Sequence, residues 1–197
     1  MPVPFWDQWA WIPLLEKSYH GTVTWGELWQ PHNEHRVVLP KLLFLGLARL
    51  TRWTPLWETL LNVAIGLVTL GLLLWQTTQV LPTRRWLWPL IALLTLSFTQ
   101  WENWLWGIQS MYFLNVFGAV TGIVCLAHWR GHWVWVGLAV LGGLIATLSY
   151  TLGLLCWPIG FAVLSLGPPA PPRAKGAALG VWALIAALVI ALYLTGY

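Results

Sequence analysis

The pattern of apolar and polar positions changes character near residue 56. From Trp57 onward, long apolar runs follow one another with thin polar breaks, at roughly 57–77, 87–104, 108–127, 133–149, 151–167 and 176–195. About 20 apolar residues cross the hydrocarbon core of a bilayer, and backbone in lipid must satisfy its own hydrogen bonds, so each run predicts a transmembrane helix. The expected fold class is all-α, a polytopic transmembrane helix bundle of about six spans over residues 57–197. Ser149-Tyr150-Thr151 is the thinnest divider.

Residues 1–56 obey a different rule, with prolines, glycines and charges interrupting every apolar stretch. Pro13 suits the start of a short helix, "PLLEKSYHG", which Gly21 would end in a left-handed cap. Thr24-Trp25-Gly26-Glu27 has the Thr-x-x-Glu spacing of a capping box. Pro31 suits a third start, and Pro40, lacking an N–H, interrupts or restarts the helix around it. Lys41 to Trp53 would make about 20 Å of helix, too short to span. Lys41, Arg49 and Arg52 fall within an arc of about 80° on it, with leucines around the rest. That is the pattern of an interfacial helix. The segment therefore reads as short juxtamembrane helices lying along a membrane surface.

Composition agrees with a membrane setting: 58% hydrophobic and 8% charged residues, 18 Trp and a mean hydropathy of +0.69. Trp53, Trp57, Trp75, Trp86, Trp88, Trp101, Trp106, Trp129 and Trp135 lie near span ends. Indole prefers the headgroup boundary, where an apolar body and one N–H donor are both served. Trp157 and Trp182 break this pattern and read as packed between helices. Cys125 and Cys156 read as buried structural thiols.

The distribution of charge sets the orientation. Arg84 and Arg85, then Arg130, then Arg173 and Lys175 occupy alternate loops, which the positive-inside rule makes cytoplasmic. Residues 1–56 then face outward, as expected for an inner-membrane protein with an extracytoplasmic N-terminal segment. No leader pattern precedes that segment. An upstream transmembrane helix is expected to carry it across, and the chain reads as a fragment of a longer protein.

Chemistry concentrates on this outer side. If residues 31–39 are helical, His32, His35 and Arg36 share a face, with Glu34 turned elsewhere. His-x-x-His can hold a metal, but no third ligand is fixed by spacing, so no metal is assigned. An Arg with two imidazoles suits an anionic group instead. Asp7, the only Asp, lies in "PFWDQWAW", and Glu102 in "QWENWLWGIQ" beside Gln100 and Asn103. Ionisable groups near membrane depth are functional suspects. Asp7, Glu34, Arg36 and Glu102 would all face one outer cavity.

"FWDQW", then "HNEHR", then "QWENWLWG" resemble a bacterial family of multi-spanning membrane proteins of poorly known function, itself similar to the GT-C glycosyltransferase superfamily. The resemblance implies transfer of a sugar from a polyprenyl-phosphate carrier at the outer membrane face. Asp7 would be the loop carboxylate acting as general base. Arg36, with His32 and His35, would contact the lipid-linked phosphate. Apart from the resemblance, the residues themselves add Glu34, Gln100, Glu102 and Asn103 to the expected substrate site, with Glu102 a partner for Arg36 or a ligand in the outer cavity. The chain departs from the GT-C pattern in having no Asp-x-Asp and no helix before Asp7. The expected partners are the lipid bilayer and that sugar donor, with no nucleic acid; no cofactor is indicated. A non-catalytic membrane subunit and a transporter or flippase are the competing readings. Asn62, Asn115 and Gly142-Gly143 are the nearest hints of a transport path, and helix packing accounts for them as well.

Overall fold

The computed structural model describes residues 5–167 and 169–197. Apart from one isolated bridge, every regular element among them is helical. The chain forms two compact units, Met1–Leu114 and Asn115–Tyr197.

The first unit opens on a 3-10 turn, Trp6–Trp11, and runs directly into α1, Ile12–His20. Pro13 stands in the first turn of α1, and Gly21 ends it at φ 68, a conformation that costs a glycine little. The capping box forms as its spacing predicts: the Thr24 hydroxyl accepts from Glu27 N and the Glu27 carboxylate accepts from Thr24 N, starting α2, Trp25–Trp29. Pro40 restarts rather than breaks the chain, because it falls in the first turn of α3, Val38–Thr51, where no intrahelical N–H bond is lost. The face of α3 that carries Phe44 is buried. Trp11 and Trp53 each meet the Phe44 ring edge-on, at 5.2 and 5.9 Å between centroids.

The expected basic stripe on this helix is not formed. Lys41 is 6% exposed and turned into the unit, whereas Leu42 and Leu50 are exposed. Arg49 reaches back to the Ser18 carbonyl and Arg52 sits in a left-handed turn at φ 53. For Lys41 and Arg49, non-local carbonyl partners invisible to helical periodicity decide where the cation points.

α4, Leu56–Val80, matches its predicted span closely. The stretch 87–104 does not form one helix. It divides into α5 (Leu87–Thr95), a 3-10 turn (Phe98–Gln100) and α6 (Trp101–Leu105). The Ser97 hydroxyl accepts from Thr99 N at 3.3 Å, giving the backbone a local alternative to a further helical turn. Trp106 is extended, and a second 3-10 turn, Gly107–Gln109, leads into α7, Ser110–His128, which crosses the boundary between the units.

In the second unit, α7 continues into α8 (Trp133–Thr147), α9 (Cys156–Leu166) and α10 (Pro172–Leu194). Glycines let α7 and α8 touch: a Cβ on Gly118 would stand 2.5 Å from the Gly142 carbonyl. Asn115 donates to Ala146 O at 3.0 Å across the same pair of helices. Trp157 and Trp182 are buried as expected, and their indoles donate to Thr147 Oγ1 and to Trp157 O. Cys125 and Cys156 are buried and free. By length and composition three helices, Leu56–Val80, Gly107–His128 and Pro172–Leu194, could cross a membrane, and Trp133–Thr147 and Thr151–Leu166 are shorter apolar helices.

Candidate functional site

The candidate residues belong to the first unit, and Asp7 is placed by its neighbour Gln8. The Gln8 side chain accepts from Phe5 N at 2.9 Å and donates from Nε2 to Glu58 Oε2 at 2.8 Å. Glu58, in the first turn of α4, also accepts from Trp53 Nε1 at 3.3 Å and is 4% exposed. One turn on, Asn62 donates to the carbonyls of Trp106 and Gly107. Glu58 and Gln8 thus fasten the Trp6–Trp11 turn to the start of α4. Sequence reasoning passed over both. The available signal was an acid in the first turn of a long apolar helix, four residues before an Asn on the same face.

Residues 31–39 do not form a helix starting at Pro31, and the shared face of His32, His35 and Arg36 is not formed. Asn33 adopts φ 53, and His32 and His35 exchange backbone hydrogen bonds of 2.8 and 3.0 Å across a tight turn. Asn tolerates the left-handed region, which makes the turn competitive with a helix here. Arg36 leaves the turn and is 1% exposed. Its Nη1 donates to Trp29 O at 2.7 Å, and its guanidinium lies 4.8 Å from the centre of the Trp29 ring. Lys41 Nζ donates to the carbonyls of Glu27, Leu28 and Gln30 at 2.9, 3.3 and 2.6 Å. Two cations therefore close the C-terminus of α2, where carbonyls lack intrahelical partners and the helix dipole is negative.

Beside them lies a cavity of about 210 Å3, lined by Trp11, Leu14, Lys17, Glu27, His32 and Lys41 among others. Trp11 is deeply buried in its wall, and its Nε1–H has no partner among the described residues. Lys17 and Glu27 form an ion pair at the rim. Lys17 and the Thr24 backbone and hydroxyl hold the Glu27 carboxyl down to about 2. Burial lowers His32 and Asp7 opposes the shift, so Asp7 and His32 act on one another electrostatically. Lys41 and His35 push His32 down further. His35 is lowered by burial and opposed by Glu34.

Both imidazoles have folded values below the unfolded 6.5, so the stability tied to keeping them neutral is complete above that pH and is lost as pH falls through their folded values. Thermal unfolding of the wild type should shift to lower temperature between about pH 6.5 and pH 5. In the double variant His32→Gln, His35→Gln that slope should flatten.

The charge of Asp7 acts on His32, Asp7 itself is not among the residues lining the cavity, and Glu102 lies elsewhere. Glu102 is exposed on α6 and shares a shallow pocket with Phe5, Trp101, Leu105 and Trp106, and it is not paired with Arg36. Gln100 is exposed at the end of the preceding 3-10 turn, Asn103 is half-buried and Glu34 is exposed in the histidine turn. Among the described residues no group of three or more His, Cys, Asp or Glu side chains is placed to hold a metal ion. No protein-family model matches this sequence, and neither a curated protein nor a solved structure matches it.

Proposed function

We propose that this chain is a multi-pass inner-membrane protein of about six spans, with residues 1–56 on the extracytoplasmic face, that transfers a sugar from a polyprenyl-phosphate carrier as GT-C enzymes do. The observation that carries the reading is the cavity lined by His32 and Lys17, with the charge of Asp7 acting on His32. In this reading Asp7 takes the proton of the acceptor hydroxyl as it attacks the anomeric carbon. His32 and the orphan Trp11 N–H, both in the cavity wall, are the donors for the oxygens of the leaving phosphate, while the charge of Lys17 is shared with Glu27. Arg36 and Lys41 shape the site rather than bind substrate, because both are engaged by backbone carbonyls.

Asp7→Asn should lower sugar transfer by about 10²–10⁴-fold, the usual size of a general-base contribution, while thermal unfolding in detergent stays within a degree or two of wild type. Transfer at the wild-type rate by a folded Asp7→Asn protein would exclude the catalytic role. The competing reading, a non-catalytic membrane subunit, is favoured by that same engagement of Arg36 and Lys41.

The topology has its own test. Glu16 is exposed on α1, and both native cysteines are buried. A Glu16→Cys protein in sealed vesicles should react with an impermeant maleimide added from the extracytoplasmic side. Reaction only from the cytoplasmic side would reverse the orientation.

A further inference from the structure

The second unit carries cations and no acidic side chain. Residues 115–197 contain Arg130, Arg173 and Lys175, with His128 and His132, but no Asp or Glu. In the first unit Lys17 is paired with Glu27, and Lys41 is held by three carbonyls. The second unit has no carboxylate side chain to offer its own cations.

Packing gathers these charges at one end of the unit. Arg130 and His132 belong to the turn between α7 and α8, and Arg173 and Lys175 to the first four residues of α10. A Cβ on Gly131 would stand 3.9 Å from Pro171 Cδ, so the turn lies against the residue that precedes α10. Trp129 and Ala178 are buried in one core, and Ala170 and Ala174 pack against it, which fixes the two segments to one another. Arg130, His132 and Arg173 are exposed and Lys175 is half-buried. The first turn of α10 holds no acid, and the helix dipole disfavours cations there. Like charges brought together in this way raise one another's energy, and an anion among them lowers it.

The surroundings point to the kind of anion. Gly107–His128 and Pro172–Leu194 are two of the helices long and apolar enough to cross a membrane. Arg130 follows the end of the first and Arg173 opens the second, which is headgroup depth when these helices cross a bilayer. Trp133 and Val134 at the start of α8 and Leu166 at the end of α9 are exposed apolar side chains at these same helix ends. A soluble anion gains nothing from them. A phospholipid lays its acyl chains along such residues while its phosphate meets the cations.

We infer that Arg130, Arg173 and Lys175 form a binding site for the headgroup of an anionic phospholipid. The inference goes beyond the proposed transferase activity and depends neither on that activity nor on which way the chain is oriented.

The test uses the full chain purified in an uncharged maltoside detergent and mixed with equal amounts of phosphatidylglycerol and phosphatidylcholine. Native mass spectrometry then counts the lipids retained. Phosphatidylglycerol should be retained in preference to phosphatidylcholine, and a single cation near an anionic headgroup contributes a factor of about five. Arg130→Gln and Arg173→Gln should each lower the preference by about that factor, and Arg173→Lys should keep it. Both arginines are exposed, so the variants remove charge without opening the core. The control is the pair Arg84→Gln, Arg85→Gln, which takes two charges from the first unit and should leave the preference as it is in the wild type. An equal loss in this pair and in Arg130→Gln, Arg173→Gln would mean that total charge, not a site, attracts the lipid, and overturns the inference. Equal retention of the two lipids by the wild type overturns it as well. A third arm is equilibrium dialysis of the detergent-solubilised chain with labelled inorganic phosphate, which should show no saturable binding. Saturable binding that Arg173→Gln abolishes would make the patch a site for a soluble anion and overturn the assignment to lipid. These readouts measure binding alone, so they stand or fall separately from sugar transfer.

Discussion

Lys41→Met should lower the stability of the first unit by about 3 kcal/mol, because it leaves three partly buried carbonyls without their donor. The ammonium gathers the carbonyls of Glu27, Leu28 and Gln30, the open end of α2. Methionine matches the stem but offers no proton. Each unpaired carbonyl costs about 1–3 kcal/mol where water cannot reach it, and the cost falls where the end of α2 can fray into solvent. Fraying should appear as protease cleavage near Trp29 in the variant and not in the wild type. The pH dependence separates this role from simple packing. Burial, then the charge of Arg36, lower Lys41 from 10.5 to about 8. The folded value lies below the unfolded one, so the wild type should gain stability as pH rises from about 8 towards 10.5. Thermal unfolding of Lys41→Met should show no such rise. An equal rise in both proteins would mean that the lysine is not the group being titrated.

Local features were legible in the sequence where a few adjacent residues decide the outcome. Gly21, the Thr24 box and the apolar run of α4 fall where their spacing predicts. Each rests on interactions within one helical turn or on uninterrupted apolar length. The turn at His32 was not legible because Pro31 and Asn33 serve a helix start and a tight turn equally well. It is selected by the pair of backbone bonds between His32 and His35, with Arg36 drawn to Trp29 O. Lys41 shows the same limit from the other direction. Its helical position was readable, but its partners lie 11 to 14 residues earlier in the chain. The division of 87–104 falls at Ser97, whose hydroxyl accepts from Thr99 N, in a stretch whose composition otherwise reads as membrane helix.

The candidate site was legible in its residue types more than in its contacts. Asp7 and His32 do act on one another, whereas Arg36 is built into the frame of α2 and Glu102 keeps company with aromatic rings. The residues that place the Asp7 turn, Gln8 and Glu58, are 50 positions apart and carry no motif. A buried glutamine–glutamate bond is a tertiary fact, and only the unusual polarity of the first turn of α4 hints at it.

That bond exposes the molecule to one very small change. Gly107→Ala should destabilise the first unit by about 2–4 kcal/mol. A Cβ there would lie 2.2 Å from Glu58 Oε2, 2.6 Å from Gln8 Nε2 and 2.8 Å from Glu58 Cβ. The carboxylate alone could swing away, but the Glu58 Cβ is fixed by α4, so either the 3-10 turn at Gly107 moves or the Gln8 bond breaks. Breaking it leaves a deeply buried carboxylate and a deeply buried amide short of a partner, and it frees the turn that carries Asp7. Gly46→Ala is the matched control: Gly46 is exposed within α3, and a Cβ there meets nothing within 4 Å. It should stabilise by about 0.5–1 kcal/mol through helix propensity alone. Thermal unfolding in one detergent should therefore move in opposite directions for the two alanines. If Gly107→Ala unfolds with the wild type, Glu58 is not seated against Gly107, and the anchoring of the Asp7 turn fails with it.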